Sequence, residues 1–193
     1  MSSKINVKDI VCGHVRTLSN VSGEWSWLDF LTFCFVPLAL SVASVVIGFS
    51  LNKDVSSLLV NFGAIFTALL LSVLVLVFDQ ESKLDDKYQR DIELKRTVDA
   101  FYAAKKKLLD ELYYNISFSI LSSLVLITTC FAFSMADSFV DPKISSVSVS
   151  VSVSVSVIFS KLVFTPLAVF ITVNLLLTII MIVKRLHSLL RPR

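Results

Sequence analysis

The sequence has little charge and few residues that interrupt helices. Charged residues are 17% of the 193 residues, whereas an average soluble domain has about 25%. It has four glycines and four prolines, and neither occurs between Ala64 and Asp141. The low charge excludes an ordinary soluble fold. It also excludes a disordered chain, because disorder combines high charge with low hydrophobicity and 55% of these residues are hydrophobic.

Residue types that carry chemistry are also scarce. The three cysteines, Cys12, Cys34 and Cys130, are far apart, and the two histidines, His14 and His187, lie near opposite ends of the chain. This spacing predicts neither a metal site nor a disulfide framework. Four scattered glycines leave no phosphate-binding loop, and no catalytic motif is present. We therefore expect a chain that is not an enzyme and that binds no cofactor.

The apolar residues are concentrated in four segments of 22–24 residues that contain no charged residue or histidine: 30–51, 55–78, 113–136 and 162–183. A helix of about 22 residues is about 33 Å long, which is enough to cross the hydrocarbon core of a membrane. The sequence thus predicts an all-α membrane protein with four transmembrane helices. The linker Asn52-Lys53-Asp54 predicts a tight hairpin between the first two, with Asp54 capping the second.

The distribution of basic residues predicts the orientation of these spans. Fifteen of the 18 lysines and arginines fall in 1–29, 79–112 and 184–193, and three fall in the other connections. Because basic residues favour the cytoplasmic side, both termini and the 79–112 segment are expected there. The 137–161 loop is then periplasmic, and the location is a bacterial inner membrane.

The segment 1–29 contains a candidate amphipathic helix over residues 4–19. Its predicted apolar face is narrow, is interrupted by Gly13 and consists of residues that recur at helical spacing: Val7, Ile10, Val11, His14, Val15 and Leu18. Such a helix either lies on the membrane or docks a partner. The alternative is a short helix that packs on the protein's own cytoplasmic part.

The segment 79–112 predicts a cytoplasmic helical hairpin that reverses near residues 95–104. Most of the steps between its apolar residues fit one helical face, and these residues are Leu84, Tyr88, Ile92, Val98, Phe101, Leu108 and Leu112. The hairpin is either a platform for a soluble partner or a solvated element with no partner. The residues expected to bind the partner are Arg90, Lys95, Arg96, Phe101 and Tyr102. Nine acidic residues balance eight basic ones, so direct nucleic-acid binding is not expected.

Residues 145–157 read SSVSVSVSVSVSV, a strict alternation of serine and valine. This pattern predicts a strand with one polar and one apolar face, and an isolated strand needs a pairing partner to be stable. The alternative is a low-complexity insert that is tolerated in the external loop.

The predicted spans contain no ionisable group, which argues against a proton-coupled transporter. Their most polar side chains are Asn61 and Asn174. Each is expected either to pack helices together through hydrogen bonds or to line a pore built from several copies.

The whole layout resembles that of the KwaA membrane subunit of bacterial Kiwa anti-phage defence systems. The resemblance is carried by the opening MSSKINVKDIVCGHVRTLSNVSGEWSWLDF, the NKD linker at 52–54 and DQESKLDDKYQRDIEL at 79–94. It implies a membrane sensor that forms a homo-oligomer, a tetramer. It also implies that a soluble DNA-binding partner similar to KwaB is docked on the cytoplasmic side. The sensor would respond to membrane disturbance by phage, and the partner would then block phage DNA replication or expression.

Two other functions are compatible with the sequence. One is a pore-forming effector, holin-like or depolarising, in which Asn174 forms a ring. The other is a small channel or transporter subunit, which the absence of charge within the spans disfavours.

Overall fold

The structure is a computed structural model that describes residues 7–18, 27–97, 100–138 and 160–190. It consists of five α-helices, with a π-helical turn, Ser160–Phe164, before the last of them: α1 Val7–Arg16, α2 Trp27–Val46, α3 Lys53–Glu93, α4 Tyr102–Ser138 and α5 Thr165–Leu190. These described ranges contain no strand, so the all-α prediction is confirmed for them. The serine–valine repeat at 145–157 lies outside the described residues.

Among the residues that the structure describes, three helical stretches are long and apolar enough to cross a membrane: Lys53–Glu93, Tyr102–Ala136 and Leu162–Leu189. The apolar part described in α2, Leu31–Val46, is shorter. This finding agrees with a membrane protein.

The helix α3 joins an apolar and a charged segment without a break. It has 41 residues and is therefore about 61 Å long, at about 1.5 Å per residue. Its charged part, 79–93, extends about 22 Å beyond the apolar part. The chain then turns between Glu93 and Tyr102, where α4 begins. The long helix follows from a sequence without helix breakers from Ala64 onward.

The connection between α2 and α3 differs from the prediction. The first span was predicted to reach residue 51, but α2 ends at Val46. Gly48 has a φ of 73°, and the amide of Phe49 donates to the carbonyl of Ser44 at 2.9 Å. This is a Schellman ending, which glycine permits because it has no Cβ. The loop is consequently longer than the three residues expected.

The capping residue of α3 is Asn52, so the prediction of Asp54 was wrong. The Oδ1 atom of Asn52 accepts a hydrogen bond from the amide of Val55 at 2.8 Å. Because α3 begins at Lys53, Asn52 occupies the N-cap position and Asp54 lies in the first turn. There the Asp54 carboxylate complements the positive end of the helix dipole.

The end of α3 repeats the Schellman geometry without a glycine. The amide of Arg96 donates to the carbonyl of Asp91 at 2.8 Å, and Lys95 has a φ of 50°. A residue with a Cβ pays a conformational cost of about 1–2 kcal/mol in this left-handed region. The turn at the end of the hairpin therefore holds a lysine where glycine would be more stable.

We expect Lys95→Gly to stabilise this turn by about 1 kcal/mol, because glycine adopts the left-handed conformation without strain. Hydrogen exchange of the amides of Lys95 and Arg96 should slow about fivefold. Arg96→Gly is the matched control, since Arg96 is the next exposed cation and has no positive φ. Equal protection by both substitutions would contradict the assignment of strain to Lys95.

The chain divides into two compact units. Of the described residues, the first comprises 7–18, 68–97, 100–120 and 177–190, and the second comprises 27–67, 121–138 and 160–176. The core of the first unit brings together buried side chains of α3, α4 and α5: Leu70, Val77, Leu109, Leu112, Ile116 and Ile182. The core of the second unit is built by Leu51, Leu126, Cys130, Phe133, Ala168 and Ile171.

Hydroxyl groups join the helices of the second unit. Thr67 and Ser123 lie 2.6 Å apart through their Oγ atoms, and Ser41 donates to the carbonyl of Pro166 at 2.8 Å. Gly63 is buried against Ile127, and an added Cβ would crowd that side chain. Small and hydroxylated residues thus allow close helix approach, as is typical of helix packing in membranes.

Candidate functional site

The end of the helical hairpin carries exposed apolar and basic side chains. We call the described residues 90–97 and 100–101 the hairpin tip. Ile92, Leu94 and Phe101 are 47%, 55% and 59% exposed. Arg90, Lys95 and Arg96 are also exposed. Four of the five residues that the sequence predicted to bind a partner, all but Tyr102, are therefore exposed in one short region of the chain.

The predicted apolar stripe of the hairpin is packed near the apolar segments and exposed at the tip, and one of its residues, Val98, lies outside the described residues. Leu112 is fully buried and Leu84 packs against the same core. The ring of Tyr88 stacks on that of Tyr102, with centroids 4.0 Å apart. Beyond this pair, Ile92 and Phe101 are exposed. The two arms thus pack on each other up to the tyrosine pair.

A polar clamp joins the two arms beside the tyrosine pair. The Lys106 ammonium lies 2.9 and 2.8 Å from the two carboxylate oxygens of Asp85, and the Tyr102 hydroxyl donates to Asp85 at 2.6 Å. These hydrogen bonds, first that of Lys106 and then that of Tyr102, lower the pKa of Asp85. Tyr102 is half-buried and held within the hairpin. The structure therefore gives this predicted partner-binding residue a role in fixing the arms.

A second polar cluster fixes α1 to α4 in the first unit. His14 is 4% exposed, and its Nδ1 lies 2.8 Å from Oδ1 of Asn115. Its ring stacks on Phe118, with centroids 3.9 Å apart and planes 2° apart. The Thr17 hydroxyl lies 2.7 Å from the same Asn115 oxygen. A helix with a weakly apolar face is thus held by buried, specific contacts.

Arg185 of α5 completes this cluster. It donates through Nη2 to the carbonyl of Thr17 at 2.6 Å, just beyond the end of α1. Its Nη1 forms an ion pair with Glu111 of α4 at 3.1 Å, and the two side chains are 16% and 28% exposed. One arginine therefore links three helices. It also supplies the cation that complements the carboxyl end of α1.

The buried face of α1 lies on the side of its glycine. Gly13 is buried, and a Cβ placed there would overlap the Tyr114 ring. By contrast, Val7 and Val11, two residues of the predicted apolar face, are exposed. The helix continues through Gly13, which the sequence pattern treats as an interruption. Glycine is needed here because it lets the backbone of α1 approach the tyrosine ring closely.

His14 makes the docking of α1 sensitive to pH. Burial, together with the nearby positive charge of Arg185, lowers the pKa of His14 below its ordinary value near 6.5. The neutral imidazole of His14 is favoured while α1 is packed on α4, whereas in a detached α1 the pKa of His14 would be near its ordinary value. Docking is therefore expected to be strongest above pH 6.5 and to weaken as the pH falls below it.

Hydrogen exchange of residues 10–18, corrected for the intrinsic pH dependence of exchange, should show this weakening between neutral and mildly acidic pH. The charged groups beside His14 are Arg185 of α5 and, paired with it, Glu111 of α4. His14→Gln retains a hydrogen-bond donor but cannot titrate in this range. Exchange in this variant should be independent of pH. If the variant instead showed the same pH dependence as the wild type, His14 would be excluded as the cause.

The two asparagines of the apolar segments differ in their surroundings. Asn174 is half-buried and donates from Nδ2 to the carbonyl of Phe33 at 3.1 Å. That contact favours the helix-packing interpretation for Asn174. Asn61 is exposed on α3. The sequence alone could not separate these two environments.

The comparisons with known proteins give no assignment. No protein family, curated protein or solved structure matches this chain. Within the described ranges, no group of three histidine, cysteine, aspartate or glutamate side chains is arranged to hold a metal ion. The candidate functional surfaces are therefore those defined by geometry. They are the hairpin tip and the contacts of His14 and Thr17 with Asn115 and Arg185, which we call the α1–α4 junction.

Proposed function

We propose that this chain is a membrane protein without enzymatic activity that docks a soluble protein through its hairpin tip. The observation that carries the proposal is the exposure of Ile92, Leu94 and Phe101 at the end of an otherwise charged hairpin. The hairpin extends about 22 Å past the apolar segments. Large apolar side chains exposed together in water are characteristic of interaction surfaces.

The charges of the hairpin tip support one kind of partner. Arg90, Lys95 and Arg96 lie in the hairpin tip with the apolar side chains, where these three cations outnumber the two carboxylates of Asp91 and Glu93. An acidic surface with an apolar centre would complement this arrangement and would be steered toward it. The strained Lys95 turn also supports the proposal, because backbone strain is concentrated at functional sites.

We further propose a topology of four spans, in which α2 also crosses the membrane. The uncharged segment 30–51 supports this span. With 15 of 18 basic residues on one side, both termini and the hairpin tip then lie in the cytoplasm of a bacterial cell, and the protein is in the inner membrane.

The resemblance to the KwaA subunit of Kiwa systems supports a biological role. We propose that the chain is a sensor of anti-phage defence that detects membrane disturbance during infection. It would regulate a soluble DNA-binding effector similar to KwaB, and it would act as a homo-oligomer, a tetramer. The exposed amide of Asn61 within an apolar segment supports self-association, because a second copy could provide a hydrogen-bond partner in the lipid phase.

The docking proposal can be tested with two variants of the hairpin tip. The first replaces Ile92, Leu94 and Phe101 with serine. The second replaces Arg90, Lys95 and Arg96 with glutamate. Both should reduce the size of the complex isolated from membranes of cells that also express the neighbouring genes, because each removes one component of the surface. The amount of each variant protein in the membrane fraction should equal that of the wild type.

The matched control replaces three exposed polar residues of the same arm, Asp86, Lys87 and Gln89, with serine. It should keep the complex intact. A complex of unchanged size in both tip variants would overturn the proposal. Dye leakage from cells that express the chain alone would instead favour a pore-forming effector, the alternative function.

A further inference from the structure

A groove of about 520 Å³ lies between α1 and α4 in the first unit. We call it the α1–α4 groove. Its wall on α1 includes Asp9, Cys12 and Arg16, and its wall on α4 includes Lys107, Asp110 and Glu111. The Tyr114 ring, which packs against Gly13, also lines it. The groove is separate from the hairpin tip.

The groove contains charges of both signs. It has three carboxylates and two cationic side chains, and the Arg185 guanidinium pairs with one of the carboxylates, Glu111. A purely anionic ligand would not be attracted, because positive charge is not in excess here. A purely cationic ligand would be repelled by the two cationic side chains. A ligand that carries an anionic and a cationic group on adjacent positions would complement the groove best.

The position of the groove along α4 indicates where such a ligand comes from. Lys107, Asp110 and Glu111 are the last charged residues before the apolar part of α4, because no charged residue occurs between Leu112 and Ala136. This boundary places the groove at the level where the polar headgroups of a membrane lie. Tyr113, which is 42% exposed beside this boundary, is of the residue type that is enriched at that depth.

We propose that the α1–α4 groove binds the headgroup of a phosphatidylethanolamine lipid. The phosphate would lie against Lys107, and the ammonium against Asp110. A primary ammonium has three N–H donors, which carboxylates accept well. A choline headgroup has no such donors and is recognised by aromatic cages, whereas this groove is lined by a single aromatic residue, Tyr114. The inference does not depend on the proposed docking function.

Cys12 provides a reporter of occupancy, because its exposed side chain lines the groove. The full-length protein is placed in nanodiscs of phosphatidylcholine, alone or with a third of the lipid replaced by phosphatidylethanolamine or phosphatidylglycerol. A water-soluble maleimide is added, and labelling of Cys12 is followed by peptide mass spectrometry. Phosphatidylethanolamine should slow labelling about fivefold, as expected when about four-fifths of the sites are occupied. Phosphatidylglycerol should not.

The variant Lys107→Ala/Asp110→Ala should abolish this protection. Both side chains are exposed, so the fold should persist. The control Asp86→Ala/Lys87→Ala removes the same two charges from the exposed surface of α3 and should retain the protection. The proposal is overturned if phosphatidylethanolamine does not protect Cys12, if phosphatidylglycerol protects it equally, or if the groove variant remains protected.

Discussion

Gly13→Leu is expected to detach α1 from α4. A side chain at this position would occupy the space of the Tyr114 ring, and a helix held by His14 and Thr17 has no room to shift without losing their hydrogen bonds. Overpacking of this kind costs about 2–3 kcal/mol. Hydrogen exchange of residues 10–18 should therefore accelerate about 30- to 160-fold in the protein held in nanodiscs.

Val11→Leu is the matched control for this substitution, because Val11 lies on the exposed side of the same helix. It adds hydrophobic bulk without a clash and should leave exchange within about twofold of the wild type. If Gly13→Leu exchanged no faster than Val11→Leu, the close packing of α1 on Tyr114 would be refuted.

Arg185→Met is expected to have the second large effect. It removes the hydrogen bond to the Thr17 carbonyl and leaves Glu111 without its ion-pair partner. Loss of one member of a buried pair costs about 3–5 kcal/mol, and the partial exposure of both side chains reduces the expected value to about 2–3 kcal/mol. Exchange should accelerate both in residues 10–18 and around Glu111.

The double variant Arg185→Met/Glu111→Gln separates the two causes of this loss. It removes the carboxylate that the single variant leaves unpaired, so it should be more stable than Arg185→Met alone. The loss of stability that the double variant still shows relative to the wild type then measures the hydrogen bond to Thr17. A double variant as unstable as the sum of the two single variants would show that Glu111 and Arg185 are not coupled.

The long helices could be predicted from the sequence, but their ends could not all be predicted. The absence of glycine and proline after Ala64 indicates that α3 continues through its charged part, because nothing in that region opposes the helix. The earlier end of α2 depends on Gly48, whose small size was compatible with the span. Only the backbone shows that it adopts a positive φ.

The candidate sites were accessible to sequence reasoning to different degrees. The hairpin tip follows from charge and position along the chain. The α1–α4 junction depends on contacts between residues about a hundred positions apart, such as His14 and Asn115. Gly13, His14 and Thr17 share a helical face, which was the available signal. Hydrophobic periodicity did not indicate that face, because Val7 and Val11, which are more hydrophobic, lie on the exposed side of α1.

The most direct test of the docking account is a photo-crosslink formed at the hairpin tip in living cells. Benzoylphenylalanine is introduced at Phe101, with Lys87 as the control position on the same hairpin. The account predicts a single adduct between the chain and a soluble protein from position 101, none from position 87, and loss of the adduct in Ile92→Ser/Leu94→Ser. The absence of any adduct at 101, or adducts of the chain with itself alone, would contradict it.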